Sequence, residues 1–147
     1  MSASALLCDT SALLDYLSRG SPDHLAFRRA IDRASTRYVP GLVLAELDYF
    51  LRRRRDVMAA FVDDLRRGAF TYVPPSPWHI SRAMDIDRRY ADLEFGLVDA
   101  SIVALAEEVG VTRLATRDLR RFSVVRLGGG QAFDLVAQPQ TLRAHGP

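Results

Sequence analysis

The chain reads as a single α/β domain, a short central parallel sheet flanked by helices on both faces, and three observations carry that reading. Short apolar runs of strand length alternate with longer segments of helical periodicity, the pattern of parallel strands joined by crossover helices. With 147 residues, 48% of them hydrophobic, the chain suits one domain and supplies enough apolar side chain for a core. Four acids, Asp9, Glu46, Asp99 and Asp118, interrupt apolar stretches far apart in sequence. An unpartnered charge in such a stretch is costly, so their scatter suggests one shared site.

The elements follow in order. SALLCD at 4–9 is a short buried strand, with Thr10 and Ser11 as helix-capping candidates before the apolar turn of Ala12, Leu13, Leu14 and Leu17. Ser21-Pro22-Asp23 starts a second helix, with Ser as cap and Pro at the first position, continued by Leu25, Phe27, Ala30, Ile31 and Ala34. Arg37 to Val39 is a strand, and Pro40-Gly41 opens the helix VLAELDYFLRRR, whose apolar stripe is Val43, Leu47, Phe50 and Leu51. Glu46 lies beside that stripe, on the ridge of Leu42 and Phe50. A helix from Asp56 to Arg67 is stopped by Gly68, and FTYV at 70–73 is a strand ended by Pro74-Pro75.

Ser76-Pro77 starts a further helix running to about Tyr90, with Trp78, Ile80, Ala83, Met84 and Ile86 as apolar members. LVDASIVALAEEV at 97–109, bounded by Gly96 and Gly110, is the most apolar helix, with Asp99 in its first turn. Thr112 to Ala115 is a strand, Thr116-Arg117-Asp118 the loop leaving it, and Ser123 to Leu127 the last core strand. The core thus spans about residues 4–127; the tail, 128–147, opens with a GGG turn and adds an edge strand, FDLV, at 133–136.

Several functional classes fall away. The apolar runs are shorter than the roughly 20 residues of a membrane span. The first residues lack a basic leader and carry Asp9 and Asp15. The expectation is a cytoplasmic protein without membrane contact. One cysteine, Cys8, permits no internal disulfide, and Cys8, His24, His79 and His145 show no zinc-ligand spacing. All 20 basic residues are Arg, with no Lys, and the net charge is +2. Any nucleic-acid contact must therefore come from local patches.

In a doubly wound sheet, ligands bind beyond the carboxyl ends of the strands. Asp9 and Asp118 follow predicted strands and Asp99 starts a helix, which puts three acids on one rim; Glu46 has to reach it from its helix. Each has an ordinary alternative: Asp9, Asp99 and Asp118 as caps or first-turn acids, Glu46 as half of a salt bridge. If they converge, carboxylate oxygens select Mg²⁺ or Mn²⁺, and that chemistry suits phosphodiester cleavage.

LLCDTSALLDYL, LAELDYFL, LVDASIVALAE and LATRDLRRF, in this order and spacing, resemble the motifs of PIN-domain ribonucleases, and among them the VapC-type toxins of bacterial toxin-antitoxin pairs. The resemblance runs from about residue 5 to 126. It implies that Asp9, Glu46, Asp99 and Asp118 are the catalytic, metal-binding acids, supported by Thr10, Ser11 and Thr116. It further implies Mg²⁺-dependent cleavage of structured RNA, tRNA or ribosomal RNA, by a homodimer whose site a cognate antitoxin protein covers. Asp92, ahead of Gly96, is a further candidate acid, its other reading being a surface residue at a helix end.

Arg117, Arg120 and Arg121 are the candidate RNA-phosphate contacts beside Asp118, and Arg52 to Arg55 form the longest basic run. Trp78, Tyr49, Phe50 and Phe61 read as core or antitoxin-groove residues rather than base-stacking platforms. Two alternatives compete. A phosphoacceptor domain or Mg²⁺-dependent phosphatase normally needs a Lys, which this chain lacks, and a second Asp that Asp9-Thr10-Ser11 does not provide. A catalytically inactive PIN-fold binding module has no need of all four acids.

Overall fold

The computed structural model describes residues 4–137, which form a five-stranded, all-parallel sheet in the order β3-β2-β1-β4-β5. The central strand β1 (Ala5–Cys8) is buried at every position, as a strand covered on both faces must be. It pairs with β2 (Thr36–Pro40) on one side and β4 (Arg113–Ala115) on the other; β3 (Thr71–Val73) and β5 (Asp134–Val136) are the edges. The chain winds outward from β1 through β2 to β3, then returns to the far side of β1 for β4. That reversal lies between β1 and β4, and a crevice opens beyond the carboxyl ends of two strands so related.

Among the described residues seven helices flank the sheet: α1 (Thr10–Leu17), α2 (His24–Arg33), α3 (Gly41–Phe50), α4 (Arg55–Arg66), α5 (Pro77–Arg89), α6 (Gly96–Val109) and the single turn α7 (Leu119–Phe122). The α6 stretch from Ala100 to Ala106 is buried on all sides, in keeping with its uninterrupted apolar sequence. It ends at Gly110, whose φ of 69° suits a glycine cap. The entry of α3 leaves no room for a side chain: a Cβ on Gly41 would collide with Pro75 and sit 3.1 Å from backbone atoms of Val73 and Pro74. Val43 and Leu47 then anchor the helix in the core, each contributing roughly 1.5–3 kcal/mol by burial. Glu46, between them in sequence, is held half-buried beside them.

Three expectations are corrected. Ser123 to Leu127 is not a strand: it continues α7 into a turn, with one isolated antiparallel bridge from Arg126 to Ala132. Its alternation is real, with Val125 and Leu127 buried and Val124 exposed, but alternation reports burial and not pairing, and Asp134–Val136 occupies the edge of β4. The core therefore continues past residue 127 through the edge strand expected at 133–136; residues 138–147 of the tail lie outside the described residues. The second helix starts at His24 without a side-chain cap from Asp23; Ser21 Oγ donates to Asp15 and accepts the Asp23 N–H in the turn ahead of the helix. Trp78 is 84% exposed and so is not core, whereas its neighbour His79 is buried with Ala83 and Ile86 and is bonded to Ser101 and Glu108. Ser76 caps α5 as expected. Among the described residues no helix is long and apolar enough to cross a membrane.

Candidate metal-binding active site

Asp9 is the residue after β1 and its backbone N–H still belongs to the sheet, donating to Ala115 of β4 at 3.0 Å. Its carbonyl accepts from Leu13 and its carboxylate from the Thr10 amide at 2.7 Å, so Asp9, rather than Thr10 or Ser11, caps α1. Two hydroxyls complete the set: Ser11 Oγ donates to the carboxylate at 3.0 Å and Thr116 Oγ1 at 2.7 Å. The same two oxygens accept the backbone N–H groups of Arg117 and Asp118, each at 3.0 Å. The loop leaving β4 is thereby tied to the start of α1 across the crevice. Burial pushes the Asp9 carboxyl above its ordinary value and the charge of Glu46 adds to this, against the pull of the Thr116, Ser11 and Thr10 hydrogen bonds.

Asp99 stands in the first turn of α6 and Asp118 caps α7, accepting the Arg121 amide at 3.2 Å. The capping reading of these acids is thus compatible with their lining one pocket, because helix N-termini gather at the rim where the strands end. Asp9, Glu46, Asp99 and Asp118 line one open pocket of about 400 Å³ with Thr10, Ser11 and Leu14. Asp99 is pushed up to about 7, by burial first and then by the charge of Asp9, with Arg121 opposing and Glu46 and Asp118 adding. No hydrogen bond or ion pair engages Glu46 among the described residues, so the salt-bridge alternative for it is absent there.

The arginines divide. Arg121 donates from Nη2 to Asp99 at 2.8 Å and from Nε to Asp118. Arg117 turns away from the acids and donates from Nη1 to Asp15 at 2.6 Å and to Asp23. Arg120 is exposed. Asp92 does not face Asp9; it lines an adjoining concavity with Leu93, Asp118, Arg120, Arg121 and Val124. Phe50 is exposed at the pocket's edge and Tyr49 is exposed beside it, whereas Phe61 is core. Sequence reasoning missed that Arg121 bridges two of the acids and that Asp15 and Asp23 anchor Arg117. The Asp-x-x-Arg spacing at 118–121 was the available signal for the first.

The donor set fits a hard divalent cation: carboxylate and hydroxyl oxygens, with no thiol or imidazole in the pocket. Thr10 strengthens the fit. It is buried, lines the pocket, and its Oγ1 has no hydrogen-bond partner, a state that calls for a ligand or water. As the side chains stand, no three acids, histidines or cysteines among the described residues close on one point, and Arg121 spans the gap between Asp99 and Asp118.

The family model for the PIN domain matches residues 6–127. Ribonuclease VapC26 of Mycobacterium tuberculosis is 36% identical over 134 residues, spanning 89% of this chain and 99% of that protein. Among solved structures, M. tuberculosis VapC20, a Sarcin-Ricin loop cleaving toxin, superposes with a TM-score of 0.64 at 23% identity, over 74% of this chain and 86% of its own. VapBC2 from Rickettsia felis, bound to a promoter DNA fragment, gives 0.65 at 13% identity over 89% and 98% of the two chains. A toxin-antitoxin complex from Klebsiella pneumoniae gives 0.65 at 20% identity over 82% and 92%. At these identities the structures speak for the fold.

Proposed function

Because the chain belongs to the PIN-domain family and is kin to a VapC ribonuclease over nearly its whole length, we propose that it is a toxin-type endoribonuclease. It hydrolyses phosphodiester bonds of structured RNA, tRNA or ribosomal RNA, with Mg²⁺, or Mn²⁺ in its place, bound in the pocket that Asp9, Glu46, Asp99 and Asp118 line. A cognate antitoxin protein neutralises it, and the toxin works as a homodimer in the cytoplasm. One observation carries the reading: four carboxylates and an unpartnered buried hydroxyl line one pocket at the sheet's switch point.

A divalent cation bound there supplies an acidified water and offsets the charge that builds on the phosphate. The chain's own groups prepare the pocket. Thr116, Ser11 and the Thr10 amide fix the Asp9 carboxylate from three directions and favour its charged form. Thr10 Oγ1, with no partner of its own, is available to a phosphate oxygen or to water. Arg120, exposed and outside the carboxylate pairs, is the member of its trio best placed to meet RNA phosphate by charge. Arg117 and Arg121 contribute their field while fixed in place.

The test is incubation of total RNA with the protein in Mg²⁺ or EDTA, followed by mapping of new 5′ ends. We expect cuts at few sites, lost in EDTA and lost with Asp9→Asn. If no RNA is cut in a metal-dependent way, the chain is an inactive binding module of the same fold.

A further inference from the structure

Arg121 is held as no RNA-searching side chain would be. Its Nη1 donates to the carbonyls of Glu94 at 3.1 Å and Leu93 at 3.4 Å, its Nη2 to Asp99, and its Nε to Asp118, while its guanidinium lies 5.3 Å from the centre of the Phe95 ring. The two carbonyls belong to the turn before α6, where Glu94 adopts a left-handed φ of 52°. This cradle is built from backbone, so the guanidinium does not depend on the acids alone for its place. A guanidinium has five N–H groups in a planar fork. Four of them are engaged, which leaves one on Nη2.

Asp118 is occupied in turn. One of its oxygens accepts the Arg121 amide and the other accepts Arg121 Nε, so each already bonds the same residue. In charge terms the pocket holds four carboxylates against this one guanidinium, Arg117 being engaged with Asp15 and Asp23. A divalent ion seated between Asp99 and Asp118 would meet a fixed cation at contact distance, and like charges so placed repel strongly in a partly buried site.

Resting on the metal-binding reading above, we infer that Arg121 is the resident second cation of this pocket. It bridges Asp99 and Asp118 permanently, as a second metal ion otherwise would, so the pocket takes one divalent ion, on the side of Asp9, Glu46 and Asp99. The free Nη2 hydrogen then faces the substrate phosphate. Asp118 is a positioning residue for Arg121 rather than a metal ligand.

Mn²⁺ binding to the 147-residue chain, followed by electron paramagnetic resonance of the free ion and by calorimetry, tests this without reference to cleavage. The wild type should bind one Mn²⁺ per chain, Arg121→Gln two, and Asp118→Asn one, with its Kd changed less than about threefold. Two ions on the wild type, or one on a folded Arg121→Gln, overturns the inference while leaving the metal site standing. If Arg121→Gln does not fold by circular dichroism, Asp118→Asn decides: a loss of affinity beyond about tenfold makes Asp118 a ligand and overturns it. No Mn²⁺ bound by the wild type overturns the metal-binding reading itself, and this inference with it.

Discussion

Arg117 and Arg121 stand four residues apart, and each reaches two aspartates, yet one makes a joint and the other a site. Arg117 ties Asp15 of α1 to Asp23 before α2. Neutral groups complete that joint, since Ser21 Oγ donates to Asp15 at 2.8 Å and His24 Nδ1 bonds the Asp15 carbonyl at 2.9 Å. Around Arg121 the balance is different: two further carboxylates, Asp9 and Glu46, share the pocket, and Asp99 is pushed up to about 7 despite its ion pair. The contrast shows what separates structural from functional ionic clusters here. The residue types are the same, but the Arg117 cluster sets two carboxylates against its guanidinium and the Arg121 pocket four, so the larger excess of negative charge lies in the pocket.

The largest effect that sharpens the contrast comes from Asp99→Asn. Removing a group that only orients a metal ligand costs roughly 10- to 100-fold in affinity, so removing a ligand should cost at least about 100-fold in Mn²⁺ binding. Without metal the effect reverses. The folded Asp99 titrates near 7, above the ordinary 3.8, so between these values the folded chain holds a proton that the unfolded chain releases. The associated stability is full below about pH 4 and is lost as pH rises to 7. In EDTA the mutant should therefore lose this share of the slope and melt at or above the wild type at pH 8. Cation binding runs the other way, strengthening by up to about tenfold per pH unit until 7, because the carboxylate must shed its proton. Melts at pH 5 and 8 with identical slopes in both proteins would remove Asp99 from the charged cluster.

Arg117→Met should produce the opposite pattern. Asp23 is 1% exposed, and breaking a buried pair by deleting one partner costs about 3–5 kcal/mol. Since Arg117 is about a third exposed, about 2–3 kcal/mol is the better expectation after solvent screening. Urea unfolding should report that loss while Mn²⁺ binding moves less than about threefold, because Ser11 accepts from the Arg117 backbone, which the substitution keeps. A mutant of undiminished stability that binds metal poorly would merge the two clusters into one.

The acids were legible in the sequence because each breaks an apolar run, and the alternation of strands and helices is enough to bring three of them to one rim. Glu46 was harder. Its arrival depends on where α3 is pinned, and that rests on Gly41 passing under Val73 to Pro75, a contact between segments more than 30 residues apart. The bridging role of Arg121 was hidden because α7 is one turn long, and periodicity over four residues does not say where a flexible side chain points. The segment at 123–127 misled for a related reason. A cover over the core alternates as a strand does, and only the competition for the edge of β4, won by Asp134–Val136, separates them.

The smallest expected effect, Thr116→Val, tests whether the Arg121 side is tuned by neutral donors as the Arg117 joint is. Thr116 is fully buried; its single hydroxyl proton goes to Asp9, and the same oxygen accepts the Asp118 N–H. Valine keeps the shape and deletes both bonds. A hydrogen bond to a charged group contributes about 1.5–3 kcal/mol, and the low end is expected because Ser11 and the Thr10 amide still hold the carboxylate. The Thr116 bond is the strongest of the influences holding the Asp9 carboxyl down, so its loss raises that group further. Mn²⁺ affinity should then fall more at the lower of two pH values than at the higher, and Thr116→Ser should restore both affinity and stability. An equal loss at the two pH values would mean that Thr116 only packs, and that Asp9 owes its charged state to the cation alone.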